Sequence, residues 1–200
     1  MSLENPAIVV LAGPNGSGKS TYASAFLKTQ FDIPQFVNAD VIAQGLSPFD
    51  PESVAIKAGR IMLTHMKDLA SSRESFSFES TLSSRSFAPW IEKQIAIGYH
   101  FHLIYFWLAS PDLAVSRVSD RVKCGGHDIP DEVIRRRYYR SLRNFFEIYQ
   151  PLTTRWIVYN NSHSTPSRPT IIARGAGTTT LQVYDDLCWK HIEKGKPGGN

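Results

Sequence analysis

A glycine-rich segment near the start of the chain has residue types and spacing suited to holding phosphate. The segment reads LAGPNGSGKS, from Leu11 to Ser20, and it matches the pattern G-x-x-x-x-G-K-[ST] in full. Glycines let backbone N–H groups converge on phosphate oxygens, and a helix that follows adds its positive N-terminal dipole. An apolar run precedes the segment and a helix-forming sequence follows it, as such a loop requires. We therefore predict a nucleotide-phosphate loop rather than a chance glycine turn.

The loop residues have predicted roles toward ATP and Mg²⁺, which are the expected cofactors. Lys19 would reach the β- and γ-phosphates, and the Ser20 hydroxyl would be a ligand of Mg²⁺. The predicted nucleotide-binding residues are Gly13, Pro14, Asn15, Gly16, Ser17, Gly18, Lys19, Ser20 and Thr21.

Acidic and hydroxyl side chains follow two further strand-like segments. Asp40 ends the sequence FVNAD, and Glu79 and Thr81 lie in FEST. Ligands of open α/β sheets bind beyond the carboxyl ends of the strands, so these residues are candidates for the acceptor site. Asp40 is either a base that accepts a hydroxyl proton or the N-cap of the next helix. Glu79 would bind the acceptor, orient Mg²⁺ through water, or simply be a partly exposed carboxylate.

An arginine-rich region in the second half of the chain has the layout of a lid over a triphosphate. Arg117 and Arg121 lie one helical turn apart, the loop KCGGHDIP follows, and RRRYYRSLR comes next. We expect Arg140 and Arg143 to be solvated, and His127 to be a loop or substrate residue rather than a metal ligand. The candidates for stabilising the transferring phosphoryl group are Arg117, Arg121, Arg136 and Arg137.

The elements that must position these residues alternate between strand and helix. This alternation predicts βαβ units and a parallel sheet covered by helices on both faces. TIIAR and TLQVYD flank GAG and predict a late β-hairpin. The expected fold is an α/β P-loop NTPase three-layer sandwich, with a mainly parallel five-stranded sheet, a helical lid and a C-terminal β-hairpin. We expect one domain over residues 1–200, with a frayed end from about residue 194. The five strands are predicted at Ala7–Leu11, within Pro34–Asp40, and at Ser75–Thr81, Tyr99–Leu108 and Arg155–Asn160.

Proline and capping residues predict where the helices begin. Asp50 and Pro51 are expected as N-cap and first helical residue of one helix, and Ser110 and Pro111 of another. A long helix is predicted from about Asp131 to Tyr149. The apolar stripe predicted for the helix after Pro51 consists of Val54, Ala58, Ile61, Met62, His65 and Leu69.

Composition narrows the class of protein. The chain has 200 residues, of which 42% are hydrophobic and 20% charged, as in ordinary globular proteins. The net charge of +4 suits an anionic ligand but is too small to indicate nucleic acid. Cys124 and Cys188 have no metal-ligand spacing, so we expect reduced thiols. With no signal peptide and no membrane segment apparent, we expect a cytoplasmic protein that does not bind membranes.

The sequence motifs of several other classes of nucleotide-binding protein do not occur in the chain. No apolar run ends in the Asp–Glu pair of motor and transport ATPases, and there is neither an LSGGQ-like nor an N-K-x-D segment. Phosphoryl transfer is therefore favoured over hydrolysis. A nucleotide-binding regulatory module with negligible turnover is the alternative from another class. A kinase for nucleic-acid ends is a third, although no continuous basic and aromatic groove is apparent.

Several motifs together resemble the zeta-toxin-like P-loop kinases. GPNGSGKST, FVNAD, FESTLS, GGHDIP and RRRYYRSLRN occur in the order and at the spacing of that family, over roughly Ala7 to Asn160. The resemblance is to the bacterial branch described as predicted ATPases or UDP-N-acetylglucosamine kinases. It implies ATP-dependent phosphorylation of a nucleotide-sugar hydroxyl, with Asp40 as base and with Glu79 and Thr81 at the sugar. It also implies a possible antitoxin partner, which would be a separate protein. Serine after Lys19, where zeta toxins often have threonine, puts toxin identity in doubt more than kinase chemistry.

Overall fold

The strands of the protein form one continuous sheet. The structure is a computed structural model that describes residues 5–27, 33–126, 128–163 and 168–195. Within these ranges the sheet has seven strands in the order β2-β3-β1-β4-β5-β6-β7. Their bounds are β1 Ala7–Ala12, β2 Phe36–Val37, β3 Phe76–Ser80, β4 His100–Trp107, β5 Arg155–Asn160, β6 Thr170–Ala176 and β7 Thr179–Val183.

The first five strands are parallel and the last two are antiparallel. β1 lies between β3 and β4, with Leu11 opposite both Glu79 and Ile104. The predicted five-stranded parallel sheet and the late hairpin are both confirmed. The hairpin does not form a separate layer, because β6 pairs with β5 and extends the same sheet.

Helices cover both faces of the sheet, as the continuous apolar sequence of β1 requires. Ala7, Val9 and Leu11 contact the core beneath the first helix, whereas Ile8 and Val10 belong to the larger core on the opposite face. The three-layer arrangement is therefore confirmed. The helices are α1 Lys19–Phe26, α2 Ala39–Leu46, α3 Ala55–Ser71, α4 Ala88–Ala96, α5 Pro111–Lys123, α6 Asp131–Asn144 and α7 Asp186–Glu193.

Two helix boundaries differ from the sequence prediction. A 3₁₀ turn at Glu52–Val54 precedes α3, and its N-cap is Pro51, so Asp50 and Pro51 are not the N-cap and first residue of the α-helix. The Asp50 carboxylate accepts the Ser53 N–H at 3.3 Å just before α3. The long helix predicted to reach Tyr149 is α-helical only to Asn144. A π-helical turn at Phe145–Tyr149 then buries both of its terminal aromatic rings.

Other local predictions have mixed outcomes. Ser110 caps α5 by accepting the N–H of Leu113, as predicted. Ile61 and His65 were wrongly placed in the apolar stripe of α3, since both are exposed. Cys124 and Cys188 are free, which agrees with the expected thiols. His127 and residues 196–200 of the predicted frayed end lie outside the described ranges.

In the part of the chain that the structure describes, no helix is both long and apolar enough to cross a membrane.

Candidate active site

The loop between β1 and α1 has a backbone that requires glycine. Gly13, Gly16 and Gly18 have φ values of +140°, +74° and +84°, a region that L side chains rarely adopt. A Cβ at Gly13 would lie 2.3 Å from the Phe106 carbonyl oxygen, and one at Gly18 would lie 2.5 Å from Asn161 Nδ2. The loop is therefore held closely against neighbouring strands, and its geometry fits a phosphate cradle.

Asn161 fixes this loop from a position far away in the sequence. It directly follows β5, and its Nδ2 donates to the carbonyl oxygen of Ser17 at 2.9 Å. Its backbone N–H donates to the Trp107 carbonyl at 3.0 Å. Asn161 was not among the predicted site residues. The available signal was that it is a polar residue directly after a buried strand, on the same sheet edge as the loop.

Lys19 is buried beneath the loop. The residue is 5% exposed, and its Nζ donates to the carbonyl oxygens of Gly13 and Pro14, both at 2.9 Å. Desolvation lowers the pKa of Lys19 below its usual value, although the carboxylates of Glu79 and Asp40 oppose the shift. A buried cation favours a nearby anion, and a bound triphosphate would supply one.

Glu79 lies beside the predicted metal ligand. Its Oε2 accepts the Ser20 hydroxyl at 2.7 Å and the Asn38 side-chain N–H at 3.0 Å. Its Oε1 lies 3.7 Å from Lys19 Nζ. The carboxylate is therefore next to the place where Mg²⁺ and the terminal phosphates would bind. Ser20 itself is exposed to the cleft, so its hydroxyl can reach a metal-bound nucleotide.

The N-cap of α2 is Asn38 and not Asp40. The Asn38 Oδ1 accepts the backbone N–H groups of Asp40 at 2.8 Å and Val41 at 3.4 Å. Asp40 lies in the first turn of α2, and its exposed carboxylate is not needed as the cap. The capping alternative for Asp40 is thus wrong, because the residue two positions earlier performs that role.

A cleft of ≈ 600 Å³ brings most of the predicted site residues together. Gly13, Pro14 and Ser17 do not line it, because they are buried in the base of the loop. Arg136 does not line it either. The predicted residues that do are Asn15, Gly16, Gly18, Lys19, Ser20, Thr21, Asp40, Glu79, Thr81, Arg117, Arg121 and Arg137.

The arginine-rich region contributes three guanidinium groups to the cleft. Arg117 and Arg121 come from α5, and Arg137 comes from α6. Arg117 also donates to the carbonyl oxygen of His163 at 2.8 Å, which ties α5 to the segment after β5. Arg136 was predicted with this group, but it is exposed and outside the cleft lining. The reason is helical geometry, since successive residues are turned by about 100° around the axis.

A hydroxyl-rich turn forms the cleft wall after β3. Ser80, Thr81 and Ser83 all line the cleft, and the hydroxyls of Thr81 and Ser83 lie 2.8 Å apart. Leu82 between them has φ +53°, which is rare for a residue with a branched side chain. Its carbonyl accepts the side-chain N–H of buried Asn144 at 2.7 Å. The end of α6 therefore holds this turn in place.

Comparison with known proteins identifies the family. The family model described as AAA domain matches residues 8–144, well over half of the chain. The chain belongs to this AAA domain family. A relative in Haemophilus influenzae, described as an uncharacterized protein, is 32% identical over 136 residues. That alignment covers 68% of this chain and 94% of the relative.

Similarity to solved structures covers more of the chain than the family model does. This AAA domain is similar to a structure from the PezAT chromosomal toxin–antitoxin system of Streptococcus pneumoniae, with TM-score 0.67 and 15% identity, over 99% of this chain and 81% of that one. The AvrRxo1-ORF1:-ORF2 structure with ATP has TM-score 0.69 and 18% identity, over 94% and 63%. A gluconokinase from Sinorhizobium meliloti 1021 has TM-score 0.50 and 17% identity, over 80% and 85%. These similarities confirm the fold that the resemblance to P-loop kinases implied.

Proposed function

We propose that the protein is an ATP-dependent phosphotransferase that phosphorylates a hydroxyl group of a small molecule. The observation that carries the proposal is the position of Asp40. Its carboxylate is not the cap of its helix, and it lines the same cleft as the phosphate loop. Structural neighbours that include a gluconokinase and a complex with ATP support the same class of reaction.

In the proposed reaction, Asp40 accepts the proton of the acceptor hydroxyl while the hydroxyl oxygen attacks the γ-phosphorus of ATP. The bond between the γ-phosphorus and the β–γ bridging oxygen breaks, and ADP leaves. Lys19 and the loop N–H groups hold the phosphates. Ser20 would hold Mg²⁺, which neutralises phosphate charge when bound. Arg117, Arg121 and Arg137 stabilise the charge of the transferring group.

The acceptor site is proposed to lie between Asp40 and the turn after β3. Glu79 and Thr81, together with the hydroxyls of Ser80 and Ser83, offer donors and acceptors that suit a polyhydroxylated molecule. We propose a nucleotide sugar such as UDP-N-acetylglucosamine, on the resemblance to the zeta-toxin-like kinases. A separate antitoxin protein and a cytoplasmic location belong to the same proposal, and the PezAT similarity supports the possible partner.

The proposal is tested by transfer of the γ-phosphate of ATP to a panel of nucleotide sugars and simple sugars. The expected result is a phosphorylated acceptor with equimolar ADP, found by mass spectrometry. Lys19→Ala serves as the blank, since it removes the buried ammonium that would reach the phosphates. ADP production that stays at the Lys19→Ala level with every acceptor would favour a nucleotide-binding regulatory module instead.

Asp40→Asn isolates the proposed base. Because the amide cannot accept the hydroxyl proton, we expect the transfer rate to fall by about 10²–10⁴-fold. ATP affinity, measured by calorimetry, should change little, because the loop and Lys19 are untouched. Asp68→Asn, at an exposed carboxylate on α3, is the matched control and should transfer at the wild-type rate. Wild-type transfer by Asp40→Asn would rule out Asp40 as the base.

A further inference from the structure

The side chain of Asn38 contacts two parts of the cleft at once. Its Oδ1 accepts the N–H groups of Asp40 and Val41, and its Nδ2 donates to Glu79 Oε2 at 3.0 Å. The residue is only 6% exposed. A single buried amide therefore connects the first turn of α2, which carries Asp40, to the carboxylate at the end of β3.

Helix capping alone does not require asparagine at this position. Serine, threonine and aspartate cap helices about as well, because each offers an acceptor oxygen. Among these residues only asparagine also carries an N–H₂ donor. At Asn38 that donor serves Glu79, on the same oxygen that accepts the Ser20 hydroxyl. The donor thus has a use that the cap does not explain.

We propose that Asn38 is a positioning residue that sets Asp40 and Glu79 relative to each other and keeps Glu79 beside Ser20. The proposal rests on the phosphotransfer proposed above and assigns no chemical step to Asn38 itself. Hydrogen bonds to charged groups are stronger than those between neutral groups. Loss of this donor should therefore lower kcat, and the gain in ATP affinity from Mg²⁺, by about tenfold or more.

Two substitutions separate the amide donor from the cap. Asn38→Ser keeps a capping oxygen and removes the Nδ2 donor to Glu79, whereas Asn38→Ala removes both. We expect only Asn38→Ala to lower the melting temperature clearly. Both variants should lower kcat by about tenfold or more at saturating ATP and Mg²⁺. Full kcat in Asn38→Ser would overturn the proposal, because capping would then be the whole role.

A remote cap provides the matched control. Asp185 caps α7 by accepting the Cys188 N–H at 2.9 Å, and it is not among the residues that line the cleft. Asp185→Ala should lower the melting temperature in the manner of Asn38→Ala but leave kcat unchanged. An equal loss of kcat in Asp185→Ala would assign the effect of Asn38→Ala to stability.

A second measurement does not depend on turnover. ATP affinity is measured by calorimetry with Mg²⁺ and with EDTA, for Asn38→Ser, Glu79→Gln and the double variant. We expect Asn38→Ser to reduce, by about tenfold, the increase in ATP affinity that Mg²⁺ produces. In the Glu79→Gln background, Asn38→Ser should have no further effect on that increase. Additive effects would overturn the proposal. If the wild-type protein phosphorylates no acceptor, phosphotransfer fails, while this cycle still decides the role of Asn38.

Discussion

Arg136 and Arg137 are adjacent in the chain but lie in different surroundings. Arg137 is partly buried and lines the cleft, whereas Arg136 is exposed. We expect Arg137→Ala to lower kcat by about 10²–10³-fold, because removal of one donor aimed at developing charge costs about that much. Steady-state kinetics with saturating ATP would measure the loss.

Arg136→Ala is the matched control for this prediction. It removes the same side chain from the same helix one residue earlier, so its effects on the helix and on net charge are the same. Its kcat should remain close to wild type, since exposed charges contribute little. Equal losses in both variants would contradict the prediction, because the position of Arg137 in the cleft would then not account for its effect.

At the residue scale, the sequence predicts which side chains belong to the site better than it predicts their hydrogen-bond partners. The pattern G-x-x-x-x-G-K-[ST] was enough to locate Lys19 and Ser20 in the cleft. It was not enough to decide whether Asp40 is a cap, because Asn38 and Asp40 both have capping oxygens and only the backbone geometry separates them. Asn161 was missed because its contact with Ser17 spans 144 positions, and local spacing carries no information about such a distance.

At the scale of elements, the end of α6 supports the turn after β3 through one hydrogen bond. Asn144→Ala would leave the buried carbonyl of Leu82 without its donor, at a cost of about 1–3 kcal/mol. Without that bond, Leu82 gains freedom to leave its left-handed conformation, and Thr81 would shift with it. We expect KM for the acceptor to rise about tenfold and KM for ATP to stay near the wild-type value, as measured by two-substrate kinetics.

Tyr149→Phe is a suitable control for this substitution. The Tyr149 hydroxyl donates to the Ser84 carbonyl at 2.7 Å, close to the same turn but outside the cleft lining. The variant should lose stability in chemical denaturation while keeping the wild-type KM for the acceptor. A raised KM in both variants would mean that general loosening, and not the Leu82 contact, controls the acceptor site.

The sequence predicts the boundary of a helix correctly where the local chemistry of one turn determines it. Ser110 and Pro111 together define the start of α5, because a capping oxygen and a fixed φ both act within one turn. Asp50 and Pro51 present the same pair of signals, yet a 3₁₀ turn forms first and α3 begins at Ala55. The π-helical turn after Asn144 depends on the packing of Phe145 and Tyr149 in the core, which periodicity cannot reveal.

At the scale of the molecule, the sheet explains why the site residues meet although they are far apart in the chain. The first three strands place the phosphate loop, Asn38 and Glu79 on one edge, because parallel strands share the direction of their carboxyl ends. The alternation of strands and helices was sufficient to predict this. The direct pairing of β6 with β5 was not predicted, because a hairpin pattern does not specify which strand it will join.

The middle of this sheet also contains a group that should make the fold sensitive to acid. His102 on β4 is 6% exposed, and burial, helped by His100 and Arg155, lowers its pKa from 6.5 to about 4. Between these values the unfolded chain binds a proton that the folded chain does not, so stability is lost as pH falls from 6.5 toward 4. We expect a loss of about 2 kcal/mol between pH 7 and pH 5 from this group, measured by urea denaturation. In His102→Leu the loss should be smaller by that amount, whereas parallel pH dependences of the two proteins would contradict the assignment to His102.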